Sequence, residues 1–198
     1  MRCVGQYWTM RILVTGGAGY IGSLLCPILL DAGHEVVLLD SLMFGVQPIL
    51  HFISHPKLEV VHGDIRDPRV VAPLAAKADA VLHLAAIVGS PACAADPTAA
   101  ETTNVDGTRT LVDALSASQM LVYASTGSTY GRCETVATEE TPIDPLTLYG
   151  RTKRDAEALV AEKGGVGLRF ATAFGLSRAC ASTCWSTTSA TRPATTSR

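Results

Sequence analysis

A doubly wound α/β fold, a parallel sheet with helices on both faces, is predicted by three observations. Short apolar runs rich in Val, Leu and Ile alternate with longer segments of helical spacing. The first apolar run leads directly into the glycine-rich segment TGGAGYIGS. The second run closes on Asp40, at about the 20-residue offset expected of a nucleotide-binding βαβ unit.

The elements follow in order. RILVT (11–15) reads as the first buried strand. YIGSLLCPILLDAG (20–33) reads as the helix after it, with Gly33 as its stop signal and Pro27 expected to disturb its regularity. EVVLLD (35–40), LEVVHGD (58–64), AVLHLAA (80–86), MLVYAS (120–125) and GVGLRFA (165–171) supply the second to sixth strands. Helical spacing recurs in PRVVAPLAAKA (68–78), PTAAETTNVDGTRTLVDALSA (97–117) and LTLYGRTKRDAEALVAEK (146–163). Six strands joined by crossover helices make the doubly wound sheet the favoured architecture.

The bulk properties narrow the class further. A chain of 198 residues suits one domain with a real core, and 47% hydrophobic against 17% charged residues marks it as globular. Sixteen basic and eighteen acidic side chains give a net charge of −2 with no basic stripe, so neither nucleic acid nor a membrane surface is an expected partner. The longest apolar runs, such as AVLHLAAIV, are too short to span a bilayer, and MRCVGQYWT has no apolar region of a secretory leader. The six cysteines lack CxxC or His-paired spacing, which predicts reduced thiols in a cytoplasmic protein and no metal site.

Chemistry concentrates in three places. Gly16, Gly19 and Gly22 follow the first strand at GxxGxxG spacing, where glycine lets the backbone turn tightly and approach a pyrophosphate at a helix N-terminus. Such a turn is common by itself; the strand before it, the helix after it and Asp40 make it a dinucleotide cradle. A carboxylate at Asp40 would accept both ribose hydroxyls of NAD and repel the 2′-phosphate of NADP. In YGRTK, Tyr149 and Lys153 stand at i and i+4 on a predicted helix, so an ammonium beside Tyr149 is expected to lower its pKa and make it a base. In YASTGSTYG, hydroxyls lie at a strand's carboxyl end; Thr126 is the first candidate to hold a reacting oxygen, with Ser125 and Ser128 as alternatives.

TGGAGYIG, HGDIRD, HLAAIVGSPAC, NVDGT, STGSTYG and YGRTK together resemble the extended short-chain dehydrogenase/reductase family, in particular its NAD-dependent nucleotide-sugar epimerases and dehydratases, from about Met10 to Gly175. The resemblance implies NAD as cofactor, a nucleotide-sugar as substrate and a homodimer through the helices after strands four and five. It places Tyr20 and Ile21 along the pyrophosphate, Asp40 on the adenosine ribose, and Asp64 and Ile65 beside the adenine. Leu84, Ala85 and Ala86 would line the cleft, with Asn104 near its nicotinamide half. Tyr149 would be the acid/base, Lys153 would hold the nicotinamide ribose, and Thr126 would anchor the substrate oxygen. An epimerase of this kind oxidises a sugar hydroxyl to a transient ketone and reduces it on the other face. Dehydratases of the family carry Asp-Glu just after the catalytic Thr; Gly127 and Ser128 stand here instead. Thr172 stands where many relatives have an Asn that positions substrate. A ketoreductase and a non-catalytic NAD-binding module are the alternatives.

The ends depart from this pattern. Residues 1–9 read as an extension before a start at Met10, 10–175 as the NAD-binding domain, and 176–198 as a tail unlike the family. The tail has no Leu, Ile, Val or Gly after Leu176. It reads either as a genuine disordered tail or as translation in the wrong frame, and the second is favoured. Restoring one base after Ser177 would turn positions 180, 182, 184, 185, 186 and 189 apolar, because codons with T in the middle encode apolar residues. The expectation is a truncated substrate domain, retained NAD binding and poor turnover.

Overall fold

The computed structural model describes residues 8–179; the readings of the first seven residues and of the tail from position 180 lie outside them. Six strands form one all-parallel sheet: β1 (Arg11–Thr15), β2 (Glu35–Asp40), β3 (Leu58–His62), β4 (Ala80–His83), β5 (Met120–Thr126) and β6 (Val166–Phe170). Their order is β3-β2-β1-β4-β5-β6, so the chain reverses direction across the sheet between β1 and β4. In open α/β sheets that switch point opens a crevice at the carboxyl ends of the strands.

Helices α1 (Gly22–Asp31), α2 (Pro68–Ala75), α3 (Ser90–Ala95), α4 (Pro97–Glu101), α5 (Gly107–Ala114) and α6 (Leu148–Glu162) connect them. Local chemistry explains their limits. The side chains of Asp67, Asp96 and Thr147 cap α2, α4 and α6 by accepting from the backbone N–H groups of Arg69, Ala99 and Gly150. Gly33 (φ +91°) and Gly164 (φ +82°) end α1 and α6. In each case the glycine and the residue after it donate back to the last turn: Gly33 to Leu30 and His34 to Leu29, Gly164 to Ala161 and Gly165 to Val160.

Two buried clusters sandwich the sheet. One joins Leu13, Val37, Val81, Leu121 and Tyr123 to α2, α5 and α6; the other joins Ile12, Val14, Val36 and Leu38 to α1, Ile49 and Phe52. Among the described residues no helix is long and apolar enough to cross a membrane.

The structure corrects several limits read from the sequence. β3 stops at His62 and β4 at His83, two and three residues early; each keeps one more backbone bond, from Gly63 N to Asp40 O and from Leu84 N to Thr15 O, before the chain leaves the sheet at its carboxyl end. α1 begins at Gly22 rather than Tyr20, since residues 16–21 are used in the turn. The helix expected over 97–117 is three pieces, with a π-helical turn at Thr102–Asp106 between α4 and α5. The short helix α3 has no counterpart among the sequence-based helices.

Candidate active site

The geometry of the glycine turn explains why glycines stand in it. Gly16 sits at φ +71°, and a Cβ there would lie 2.6 Å from the Ala85 nitrogen and 2.9 Å from the Leu84 carbonyl carbon. Only glycine allows both that conformation and that contact between the turn and the end of β4. A Cβ at Gly22 would meet Gly17 Cα at 2.5 Å and Gly16 O at 2.6 Å, whereas Gly19 has more room, 3.1 Å to Gly16 O. Gly17 escaped the motif reading, yet its Cβ would lie 2.4 Å from Leu38 Cγ. The doubled glycine in TGG was the signal.

α1 starts at this turn with no side-chain cap on its first N–H groups. The N–H groups of Ser23, Leu24 and Leu25 already donate to Gly19 O and Ile21 O, so what this helix start offers an anion is the positive end of its dipole. Asp40, at the end of β2, binds the turn directly: Oδ2 accepts from Ala18 N at 2.9 Å and Oδ1 from Leu42 N at 2.8 Å. The second bond holds Leu42 at φ +52°, a conformation non-glycine residues rarely adopt. A carboxylate has about four lone-pair sites, so acceptor capacity remains for a ribose diol. A tight cradle, an uncapped helix start and a partly used carboxylate together fit a dinucleotide.

The adenine-side expectation fares differently. Asp64 is engaged by Arg66, whose Nε lies 3.0 Å from both carboxylate oxygens, and this pairing holds the carboxyl below its usual range. Ile65 is buried in the core against Gly107, where an added Cβ would lie 2.7 Å away. Its side chain packs under α5.

Beneath the crevice runs a buried polar network that the sequence reading missed. His83 on β4 is fully buried between Thr15 on β1, 2.7 Å from Nδ1, and Thr108 on α5, 2.9 Å from Nε2. Burial holds its pKa down to about 3. Thr15 Oγ1 also accepts from Ala85 N at 3.4 Å, and Thr108 Oγ1 donates to Asn104 O at 2.6 Å. Asn104 lies in the π-helical turn, an irregularity frequent at functional sites. Its amide brackets Ile87, accepting from the backbone N at 2.7 Å and donating to the carbonyl at 3.0 Å, and also donates to Thr152 at 3.1 Å. Asn104 thus fixes the wall after β4 against α6. A polar His inside the apolar run AVLHLAA was the available signal, since such a group needs partners.

Thr126 and Tyr149 meet at the carboxyl end of β5, while Lys153 lies over Tyr123 within the strand. Thr126 is buried, with its hydroxyl accepting from Ser128 N at 3.2 Å. Ser125 is engaged elsewhere, donating to Glu157 at 2.5 Å, and Ser128 is exposed. Lys153 is buried with its ammonium 4.0 Å from the Tyr123 ring centroid. Burial lowers its pKa to about 7. The pKa of Tyr149 is raised, not lowered as expected; burial is the largest cause, opposed by the Thr126 hydroxyl. Lys153 is not among the groups that move it, because its ammonium lies over Tyr123.

Fold and site together define an α/β protein of the dinucleotide-binding kind, with Thr126 and Tyr149 side by side at the carboxyl end of β5. Residues 12–180 match the family described as NAD dependent epimerase/dehydratase, and the chain belongs to that family. It is 36% identical over 157 residues to a UDP-glucose 4-epimerase of Lactobacillus helveticus, covering 77% of this chain and 46% of that protein. Among solved structures, UDP-glucuronic acid 4-epimerase from Bacillus cereus, in complex with UDP-glucuronic acid and NAD, superposes with a TM-score of 0.74 at 30% identity, covering 81% of this chain and 56% of that one. A dTDP-glucose 4,6-dehydratase from Streptomyces venezuelae, with NAD bound, gives 0.72 at 32%, covering 77% and 51%. The chain thus spans about half the length of the relatives it matches.

Proposed function

We propose that this chain supplies the NAD-binding and acid–base part of an NAD-dependent epimerase acting on a nucleotide-sugar, with residues 10–175 as the NAD-binding unit. One observation carries the reading. Thr126 and Tyr149 meet beyond the carboxyl end of β5, on the same sheet edge where Gly16 abuts Leu84 and Ala85. The sugar-nucleotide relatives solved with NAD support both cofactor and substrate class. Gly127 and Ser128, in place of the Asp-Glu of dehydratases, favour epimerisation over elimination.

NAD, when bound, would take hydride from a sugar carbon and give it back. The chain's own residues do the rest. The Gly16–Gly22 turn and the start of α1 hold the pyrophosphate, with Tyr20 and Ile21 beside it. Asp40 accepts from the adenosine ribose, and Lys153 donates to the nicotinamide ribose. Thr126 hydrogen-bonds the reacting sugar oxygen, and Tyr149 Oη takes that hydroxyl's proton and returns it. Burial keeps Tyr149 protonated in the chain alone, so positive charge placed beside it is what makes it a base.

Calorimetric titration of dialysed protein with NAD tests the cofactor reading, with one site per chain as the expected result and no binding as the overturning one. NMR of UDP- and dTDP-hexoses then reads inversion directly. Tyr149→Phe should leave NAD affinity within about twofold and remove inversion. Stoichiometric consumption of NADH without inversion would identify a ketoreductase instead.

A further inference from the structure

β6 ends at Phe170 on the outer edge of the sheet, yet the chain after it is tied to the glycine turn that follows β1. Tyr20 Oη donates to Gly175 O at 2.6 Å. Ser177 Oγ donates to Tyr20 O at 2.8 Å, so it accepts from Ser23 Oγ, 3.1 Å away, and from Ala179 N at 3.2 Å. A hydroxyl has one proton and two lone pairs, and Ser177 uses all of them here.

The strand order puts β5 and β4 between β6 and β1, which makes three spacings of about 4.8 Å, or about 14 Å in all. The five peptide steps from Phe170 to Gly175 reach about 17 Å when fully extended. The segment therefore has little slack. It starts and finishes at carboxyl ends of strands, so it crosses those of β5 and β4, over the switch point beside β1. Nothing in its own burial holds it there. Residues 171–176 are exposed, and the large apolar Phe174 and Leu176 are 94% and 95% exposed. Its described ties are β6 at one end and the bonds to Tyr20 and Ser23 at the other.

We propose that residues 171–177 form a strap over the crevice, latched to the cradle by Tyr20, Ser23 and Ser177, and that a dinucleotide enters and leaves when the latch opens. The gating rests on the NAD reading above; the strap and its latch do not. A latch that closes equally over an empty and a filled crevice has a kinetic signature. Weakening it speeds entry and release by the same factor and leaves their ratio, the Kd, unchanged. A segment that merely touched the ligand would change release and affinity together.

Stopped-flow fluorescence of NADH with the full chain tests the gate. Ser177→Ala removes the donor to Tyr20 and the acceptor of Ser23. It should raise the association and dissociation rates about fivefold or more, with Kd within about twofold of the unaltered chain. Ser177→Thr, which keeps a hydroxyl, should restore most of the difference. Unchanged rates overturn the gate, and so does faster release at an unchanged association rate. Relaxation of 15N-labelled protein reads the latch with no ligand present. The amides of residues 173–176 should be nearly as rigid as those of β6 in the unaltered chain and clearly more mobile in Ser177→Ala. Tyr20→Phe, which removes the bond to Gly175, should loosen them in the same way, and it carries this test if Ser177→Ala fails to fold. Amides already mobile in the unaltered chain, or unmoved in the variants, overturn the strap. A latch that responds in a chain binding no NADH keeps the strap and overturns the cofactor reading. NADH binding at unmoved rates keeps the cofactor reading and overturns the gate.

Discussion

His83 donates from Nε2 to the hydroxyl of Thr108. The direction is forced, because Thr108 already uses its own proton on the Asn104 carbonyl 2.6 Å away and can only accept from the imidazole 2.9 Å away. Nδ1 is then the acceptor and takes the Thr15 hydroxyl proton at 2.7 Å. One neutral tautomer satisfies the whole chain from Ala85 N to Asn104 O.

Protonation would put a second donor against Thr15, so the fold favours the neutral ring. The folded pKa of about 3 lies below the usual 6.5, so the unfolded chain binds the extra proton between these values. Stability is full above pH 6.5 and falls as pH drops through that window, by up to about 1.4 kcal/mol per pH unit. Urea melts from pH 7 to 4 check this; His83→Phe should be less stable at pH 7 but show a flatter pH slope.

Gly16→Ala forces a Cβ into the Ala85 backbone at a positive φ. It should cost about 1–3 kcal/mol in stability and weaken NAD binding at least tenfold. Gly19→Ala, with 3.1 Å to its nearest atom, should cost less than either Gly16→Ala or Gly22→Ala, and thermal melts of the three rank them.

Asp40→Ala leaves the Ala18 and Leu42 N–H groups without their acceptor. Beyond weaker NAD binding, a loss of about 1–3 kcal/mol is expected. Asp40→Asn retains one acceptor oxygen and should lose less, which chemical denaturation of both variants reads.

An apolar stripe on β6 makes a fourth prediction. Gly167 and Arg169 face Glu157 of α6, so Val166, Leu168 and Phe170 point to the opposite face, where they are 55%, 42% and 40% exposed. Met120 beside them on β5 is 59% exposed. Exposed contiguous apolar surface of this kind binds hydrophobic dyes and promotes association. Leu168→Thr with Phe170→Thr should reduce dye fluorescence and sedimentation of aggregates, with NAD affinity within about twofold of the unaltered chain.

What the sequence disclosed depended on how local the cause was. The strands were legible because β-type apolar runs carry their own signature, and Gly16, Gly22 and Asp40 because motif spacing encodes backbone contact. Strand ends were overrun at Gly63–Asp64 and Leu84–Ala86, since composition does not mark where the chain leaves the ladder at its carboxyl end. The sign of the Tyr149 shift was misread because spacing places Lys153 on the same face but cannot show its ammonium over Tyr123. Glu157 and Arg169 went unseen because their meeting joins α6 to β6 through a missing Cβ at Gly167. The π turn has no signature in composition.

That turn at Thr102–Asp106 also acts as a phase setter. Each residue of a helix advances the face by about 100°. Removing one residue between Thr102 and Asp106 would restore regular winding and lengthen nothing, yet it would rotate α5 by about that angle relative to α4. Thr108 would swing off His83, and the imidazole would be left buried with one partner.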